Sequence, residues 1–305
     1  MSLLLDPKND FVFKRLFAAS PALLADLINA VRSNEPPVEV TEVLNPRIDP
    51  DELTGKFIVL DVLARDASGR FYNIEMQVRR HAGWNARSTY YLARTLANQL
   101  KNGDDYTKLK PVIGIHLLDF DLFDVPEQAH WCFELRDRLR PHVALEGQLQ
   151  LNVIELIKAD RLLPQTGALS AWIAWFEHWQ EESTMSTITH PAVRQAMEEL
   201  QHLSEDDEAR RLAFVRERAL RDEVSLMNTA REEGREEGRE EGREEGVGLG
   251  VRQEREAALL RVLELKFGPV PDAVRGVLRS VSLDELLQLF DKALRAGQLD
   301  EVIGA

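Results

Sequence analysis

Cysteine is almost absent: Cys132 is the only one in 305 residues. That excludes an internal disulfide and any cysteine-rich metal centre, and it fits a reducing, cytoplasmic setting. Long apolar runs are missing as well. None approaches the roughly 20 residues that a membrane span needs, so no membrane partner is expected. The opening Met1-Ser2-Leu3-Leu4-Leu5-Asp6 has neither the basic start nor the apolar stretch of a secretory leader. Histidine is present seven times. His81, His116, His130 and His142 show no close metal-ligand spacing and read as ordinary surface or core residues.

An excess of positive charge is also lacking. The net charge is −14, which at first argues against nucleic acid, whose phosphates attract basic proteins. The distribution changes that reading. Residues 1–120 carry 15 Lys and Arg against 15 Asp and Glu, so the whole −14 belongs to residues 121–305. Within 62–101 the balance is 7 basic to 2 acidic.

Residues 6–31 read as one helix, capped by Asp6 with Pro7 in its first turn. Phe13, Leu16, Phe17, Leu24 and Leu27 supply its apolar stripe. Strand character follows at 38–44, 56–65 and 71–79, then a helix over about 86–101 and an apolar strand over 111–118. This order predicts an α/β fold with a mixed sheet. Trp131 to Leu135 and Leu149 to Ile157 are further candidate strands. An amphipathic helix over 168–180 carries Trp172, Trp175 and Trp179, a stripe suited to a core or a dimer surface. Helix continues over about 191–228, with Ser204 as N-cap.

Residues 231–246 are four copies of Arg-Glu-Glu-Gly. Each glycine costs a helix about 1 kcal/mol, partly offset by Arg–Glu neighbours. The stretch reads as a solvated spacer, helical if packed and frayed if not. Residues 253–303 form a small helical unit with a stripe of Leu259, Leu260, Leu263 and Phe267, and a capping box at Ser282-Leu-Asp-Glu285. Leu286, Leu287 and Phe290 are its expected core. The expected divisions are 1–185, a helical extension over 186–230, a linker over 231–250 and a helical module over 251–305. Roughly 50 residues are marginal alone, so docking or self-association of this module is expected.

The strands 56–65 and 71–79 are joined by Asp66-Ala67-Ser68-Gly69. A three-residue hairpin loop commonly carries glycine third, in the left-handed conformation. With Ala67-Ser68-Gly69 as that loop, Asp66 faces Arg70 and Asp61 lies opposite Glu75. Opposed residues share a face with Cβ atoms roughly 5 Å apart, and two carboxylates there repel unless protonated or bound to a cation. Mg²⁺ takes one or two carboxylates plus waters and phosphate. Gln77 shares the face of Glu75, while Met76 points the other way with Leu60, Val62 and Ile74. The same pattern also suits a one-sided sheet whose polar face meets water.

Asp61, a hairpin and Glu75-Met76-Gln77 resemble the Asp…Glu-x-Lys signature of the PD-(D/E)XK nuclease superfamily. The chain is more closely similar to its recombination-promoting nuclease, or transposase-like, branch. The shared features are the opening Asp6-Pro7-Lys8-Asn9-Asp10-Phe11-Val12-Phe13-Lys14-Arg15-Leu16-Phe17, the strand Asn73 to Gln77 and the Arg-Glu-Glu-Gly repeats. The segments Leu265 to Pro269 and Ser282 to Ala293 resemble its appended helical domain. The resemblance implies a restriction-endonuclease-like mixed sheet flanked by helices, followed by an all-α C-terminal region. It implies a metal-dependent DNA endonuclease linked to recombination or mobile elements. Asp61, Glu75 and the Met76 backbone carbonyl would hold Mg²⁺ or another divalent cation, with Gln77 as third catalytic residue. Gln77 stands where lysine is usual in the superfamily, although this branch carries glutamine there. An amide cannot act as base or cation.

Asp10 is a candidate for a supporting contact to the site, or a solvent-facing aspartate favoured by the helix dipole. Lys14 would meet a phosphate or pair with Asp10. Arg87, Tyr91 and Arg94, with Lys101, share one helix face suited to a DNA backbone. Spacing does not separate Tyr90 from Tyr91. Arg79, Arg80 and Trp84 follow the motif strand and would line the DNA approach, with structural packing the other role open to Trp84. The competing reading is a catalytically inactive nuclease-like protein that binds DNA or protein. An assembly scaffold built on the acidic tail is a third.

Overall fold

The computed structural model describes residues 4–45, 62–80, 83–145, 147–164 and 166–303. Two compact units divide the chain, 1–223 and 224–305. Among the described residues no helix is long and apolar enough to cross a membrane.

The first unit is built on a six-stranded mixed sheet in the order β1-β2-β3-β4-β6-β5. The strands are β1 (Val40–Val43), β2 (Val62–Asp66), β3 (Phe71–Gln77), β4 (Val112–Leu118), β5 (His130–Glu134) and β6 (Leu149–Glu155). β3, β4 and β6 run parallel, and β1, β2 and β5 are antiparallel to their neighbours. β4 is buried along its whole length, as a parallel strand covered on both faces must be, and its Val-Ile-Gly-Ile-His-Leu-Leu sequence is almost wholly apolar.

One face of the sheet carries Tyr72, Ile74, Met76, Ile113, Ile115, Leu117 and Ile154. It packs in a single core with helices α1 (Asp10–Ala19) and α2 (Pro21–Val31). Helix α3 (Trp84–Ala97) covers the opposite face. Its Leu92 approaches Gly114 so closely that a Cβ there would lie 3.0 Å from one Leu92 methyl and 2.9 Å from a Leu151 methyl. The short α4 (Leu156–Leu162) continues β6, and α5 (Ala168–His178) buries Trp172 and Trp175 in the main core. The tryptophan stripe is therefore core, with Trp179 packed at its margin. After α6 (Glu182–Met185), helix α7 (Pro191–Glu205) and the start of α8 (Asp207–Phe267) add Val193, Ala196, Leu200, Ala209 and Ala213 to the same core. This is why the first unit extends past 185 to 223.

Several sequence expectations need correction. The expected single helix 6–31 is two, because Pro21 opens α2 and Ser20 leaves the helical conformation. Asn9, not Asp6, caps α1, its side chain accepting from the Phe11 and Val12 amides. Asp6 instead accepts from the Lys8 amide in the preceding turn. Ser204 is not an N-cap: it lies inside α7, donates to the Leu200 carbonyl and accepts from the Leu5 amide. Asp206 starts α8, accepting from the Ala209 amide at 2.7 Å. The Arg-Glu-Glu-Gly residues are exposed yet helical within α8, with Arg239–Glu236 and Arg243–Glu240 pairs at 3.3 and 2.6 Å. Neither the packed helix nor the frayed spacer describes them.

The second unit has its own small core of Leu259, Leu263, Val270, Leu278, Leu286, Ala293 and Val302. These come from the end of α8 and from α9 (Asp272–Ser280), α10 (Leu283–Arg295) and α11 (Asp300–Ile303). Ser282 and Glu285 form the expected capping box. Leu287 is exposed, contrary to expectation, while Phe290 packs at the core margin.

The opening motif is tied down by polar contacts across long stretches of chain. Lys8 bridges Asp119 and Glu177, each at 3.1 Å. Asp10 is buried and bound by the Arg216 guanidinium through Nε at 2.9 Å and Nη2 at 2.6 Å. Asp10 is thus not the solvent-facing aspartate considered from the sequence. Removing one partner of a buried pair leaves an uncompensated charge, at a cost of roughly 3–5 kcal/mol. Arg216→Met is expected to lose about that much in denaturant unfolding, whereas the exposed Arg218→Met stays within about 0.5 kcal/mol.

Candidate active site

The site is set by the β2–β3 hairpin. Asp66 organises the turn: one carboxylate oxygen accepts from the Ser68 amide, the Ser68 hydroxyl and the Arg70 amide at 2.7–2.9 Å. The main chains of Asp66 and Gly69 close the loop at 3.0 Å, and Gly69 adopts φ +86°, the left-handed region that glycine tolerates. Pairing then runs Arg65 with Phe71, Ala64 with Tyr72, Leu63 with Asn73 and Val62 with Ile74. This is the register expected from the turn. Asp61 and Leu60 lie outside the described residues.

Alternation along β3 puts Tyr72, Ile74 and Met76 into the main core and Asn73, Glu75 and Gln77 onto the face under α3. That face is not open to water. Glu75 is 5% exposed, and Asn73 and Gln77 are equally enclosed. Parallel pairing aligns Glu75 with His116 of β4, bringing His116 Nδ1 to 3.7 Å from Glu75 Oε2. The Trp84 ring stands edge-on to the His116 ring, centroids 5.4 Å apart at 89°. Trp84 therefore packs structurally and does not line an open approach.

Burial pushes the Glu75 carboxyl up to about 7, and the positive field of Arg87 partly opposes this. Among the described residues, Gln77 Oε1 and Asn73 Oδ1 have no hydrogen-bond partner. Buried orphan oxygens are uncommon and call for an explanation. Glu75 and these two amide carbonyls are hard oxygen donors on one strand face, the donor type a divalent cation of the Mg²⁺ class takes. The donor set fits such an ion. Among the described residues no cluster of three His, Cys, Asp or Glu side chains completes a metal site by itself.

The other sequence candidates are distributed as follows. Lys14 lies in α1 at 2% exposure, enclosed in the first unit and not on its surface. Arg79 is half-buried and donates to the Leu220 carbonyl. Arg87 is half-buried between Glu75, whose charge it influences, and the Tyr91 ring 5.8 Å away. Tyr91 and Arg94 are exposed on α3. Asp10 is engaged with Arg216. Sequence reasoning missed His116 as a neighbour of Glu75. The available signal was a lone imidazole inside an otherwise apolar strand. Arg216 gave no local signal at all.

A family profile described as PD-(D/E)XK nuclease family transposase matches residues 7–230. The chain belongs to that family. Compared with curated proteins and with solved structures, it has no match. Membership of the family accounts for the mixed sheet with its flanking helices. It sets the function class as nuclease- or transposase-like.

Glu75 gives a pH signature in metal-free protein. Its folded value of about 7 lies above the ordinary 4.5. Between these, the folded chain holds a proton that the unfolded chain has released. The stabilisation contributed by Glu75 is therefore fully present below about 4.5 and is lost as pH rises through 7, by about 3 kcal/mol in all. In denaturant unfolding in chelator, the stability of wild type relative to Glu75→Gln is expected to fall by this amount between pH 4.5 and 8.

Proposed function

We propose that this chain is a divalent-metal-dependent DNA endonuclease that hydrolyses phosphodiester bonds and serves recombination or a mobile element. One observation carries the reading: a buried carboxylate with a value near 7, on the same strand face as the unpartnered carbonyl of Gln77 and within the field of Arg87. Such perturbed groups concentrate at functional sites.

In this reading Glu75, Asp61 and the Met76 main-chain carbonyl hold Mg²⁺. The described hairpin pairing reaches Val62 and Ile74; Glu75 follows Ile74 on β3, and Asp61 precedes Val62 in the sequence. A bound divalent ion supplies Lewis acidity toward water and phosphate. Glu75 would hold the ion as the charged carboxylate, which a nearby cation favours. Gln77 orients the attacking water or a phosphate oxygen through its amide, which donates and accepts without carrying charge. Arg87 and Arg94 neutralise backbone phosphate, and Tyr91 packs beside them. The second unit, which exposes Leu265 and Leu294, serves self-association. Gln77 in the lysine position favours one other reading, a nuclease-like protein that binds DNA without cutting it.

Plasmid DNA incubated with the purified chain and Mg²⁺ separates the two. Cutting is expected from the wild type, with a loss of about hundredfold or more in Asp61→Ala and Glu75→Ala and in chelator. Gln77→Ala is expected to lose less, about tenfold. If wild type and variants leave the plasmid and a single-stranded circle equally intact with Mg²⁺ and Mn²⁺, the endonuclease reading fails and the non-cutting one stands.

A further inference from the structure

Helix α3 has two unlike sides. Trp84, Ser88 and Leu92 are buried against the sheet. The outer side carries Tyr90 and Tyr91, 58% and 40% exposed. Their rings lie 5.5 Å apart at a steep 73°. The Arg87 guanidinium sits over the Tyr91 ring at 5.8 Å, and it is also the cation whose field reaches Glu75. Arg94 is exposed one turn further on, and the helix contains no acidic residue. Neither tyrosine hydroxyl has a hydrogen-bond partner among the described residues. Two neighbouring exposed rings bracketed by arginines, with the Arg87 guanidinium over one face of Tyr91, serve no purpose in the core.

The chemistry of these groups separates two forms of DNA. In an intact duplex every base face is covered by its stacked neighbours, so an aromatic ring on the outside meets only sugar, phosphate or groove edges. In an unpaired strand the base faces are open and stack on aromatic rings whatever their sequence, while arginines follow the backbone. The steep angle between the two rings adds a constraint. Consecutive bases can lie on both rings only if the strand turns between them, which an unpaired strand does readily and a duplex does not.

We propose that Tyr90 and Tyr91, bracketed by Arg87 and Arg94, form a stacking platform for an unpaired DNA strand on the outer side of α3, so that the chain takes single-stranded or locally unpaired DNA in preference to intact duplex. The proposal rests on the nuclease reading for the identity of the ligand. It assigns the substrate class and the residues that select it.

The test is binding in chelator, where no cutting occurs, with the full chain and fluorescent 20-mers: a single strand, its duplex and an RNA strand of the same sequence. A 2-aminopurine within the single strand reports stacking by the change in its emission. Wild type is expected to bind the single strand about tenfold more tightly than the duplex and to quench the 2-aminopurine. Tyr90→Leu/Tyr91→Leu, which keeps apolar bulk without a ring, is expected to lose about tenfold on the single strand and the quenching, with little change on duplex. Tyr90→Phe/Tyr91→Phe keeps both, which shows that the leucine result is not misfolding. Arg94→Gln weakens single strand and duplex alike. The proposal is overturned by equal or tighter duplex binding, by a leucine variant that binds and quenches like wild type, or by tighter binding of the RNA. If the platform behaves as described but no DNA is cut with any divalent ion, the endonuclease reading fails alone. If plasmid is cut but the tyrosine substitutions change nothing, the platform fails alone.

Discussion

The pleat of β3 leaves no intermediate arrangement for its side chains. Tyr72, Ile74 and Met76 go to one side and Asn73, Glu75 and Gln77 to the other. A slip of one residue would drive a carboxylate and two amides into the apolar core and expose the core residues beneath α3. The carboxylate of Asp66 guards against this by holding three donors of the turn at once. The covered polar face, the alignment of Glu75 with His116 and the placement of α3 above them all follow from that pinned register.

Covering this face gives it its chemical character. A glutamate on an open sheet would ionise near its ordinary value, and its neighbours would find water. Under α3, with Leu92 pressed against Gly114, the same glutamate is driven up to about 7 and two amide carbonyls are stranded. The close approach at Gly114 is thus part of the electrostatics as well as of the packing.

The hairpin was legible because its information is local: a glycine third in the loop and alternation on either side are enough to place Glu75 and Gln77 together. The fold class followed from the order of elements, and the family from the motif order. What was not legible has a common physical origin. Arg216 reaches Asp10 across 206 positions, and His116 reaches Glu75 only once β4 pairs parallel with β3. Propensity and period carry no trace of such contacts. The break at Ser20–Pro21 was local and was missed because the apolar stripe runs straight through it. The glycines of the repeat weaken α8 without interrupting it, since each Arg–Glu neighbour pair and the length of the helix favour continuation.

The long-range ties of the opening motif bear on how the protein is made. Leu5 binds Ser204, Asn9 binds the Ala213 carbonyl and Asp10 binds Arg216. The segment around residues 5–10 therefore finds partners among the last residues of the first unit. Contacts of such separation are slow to form, and the charge of Asp10 is matched only when Arg216, 206 positions away, is in place. A unit tied together in this way closes only when its distant segments are both present, so a partial chain lacks the partner of Asp10.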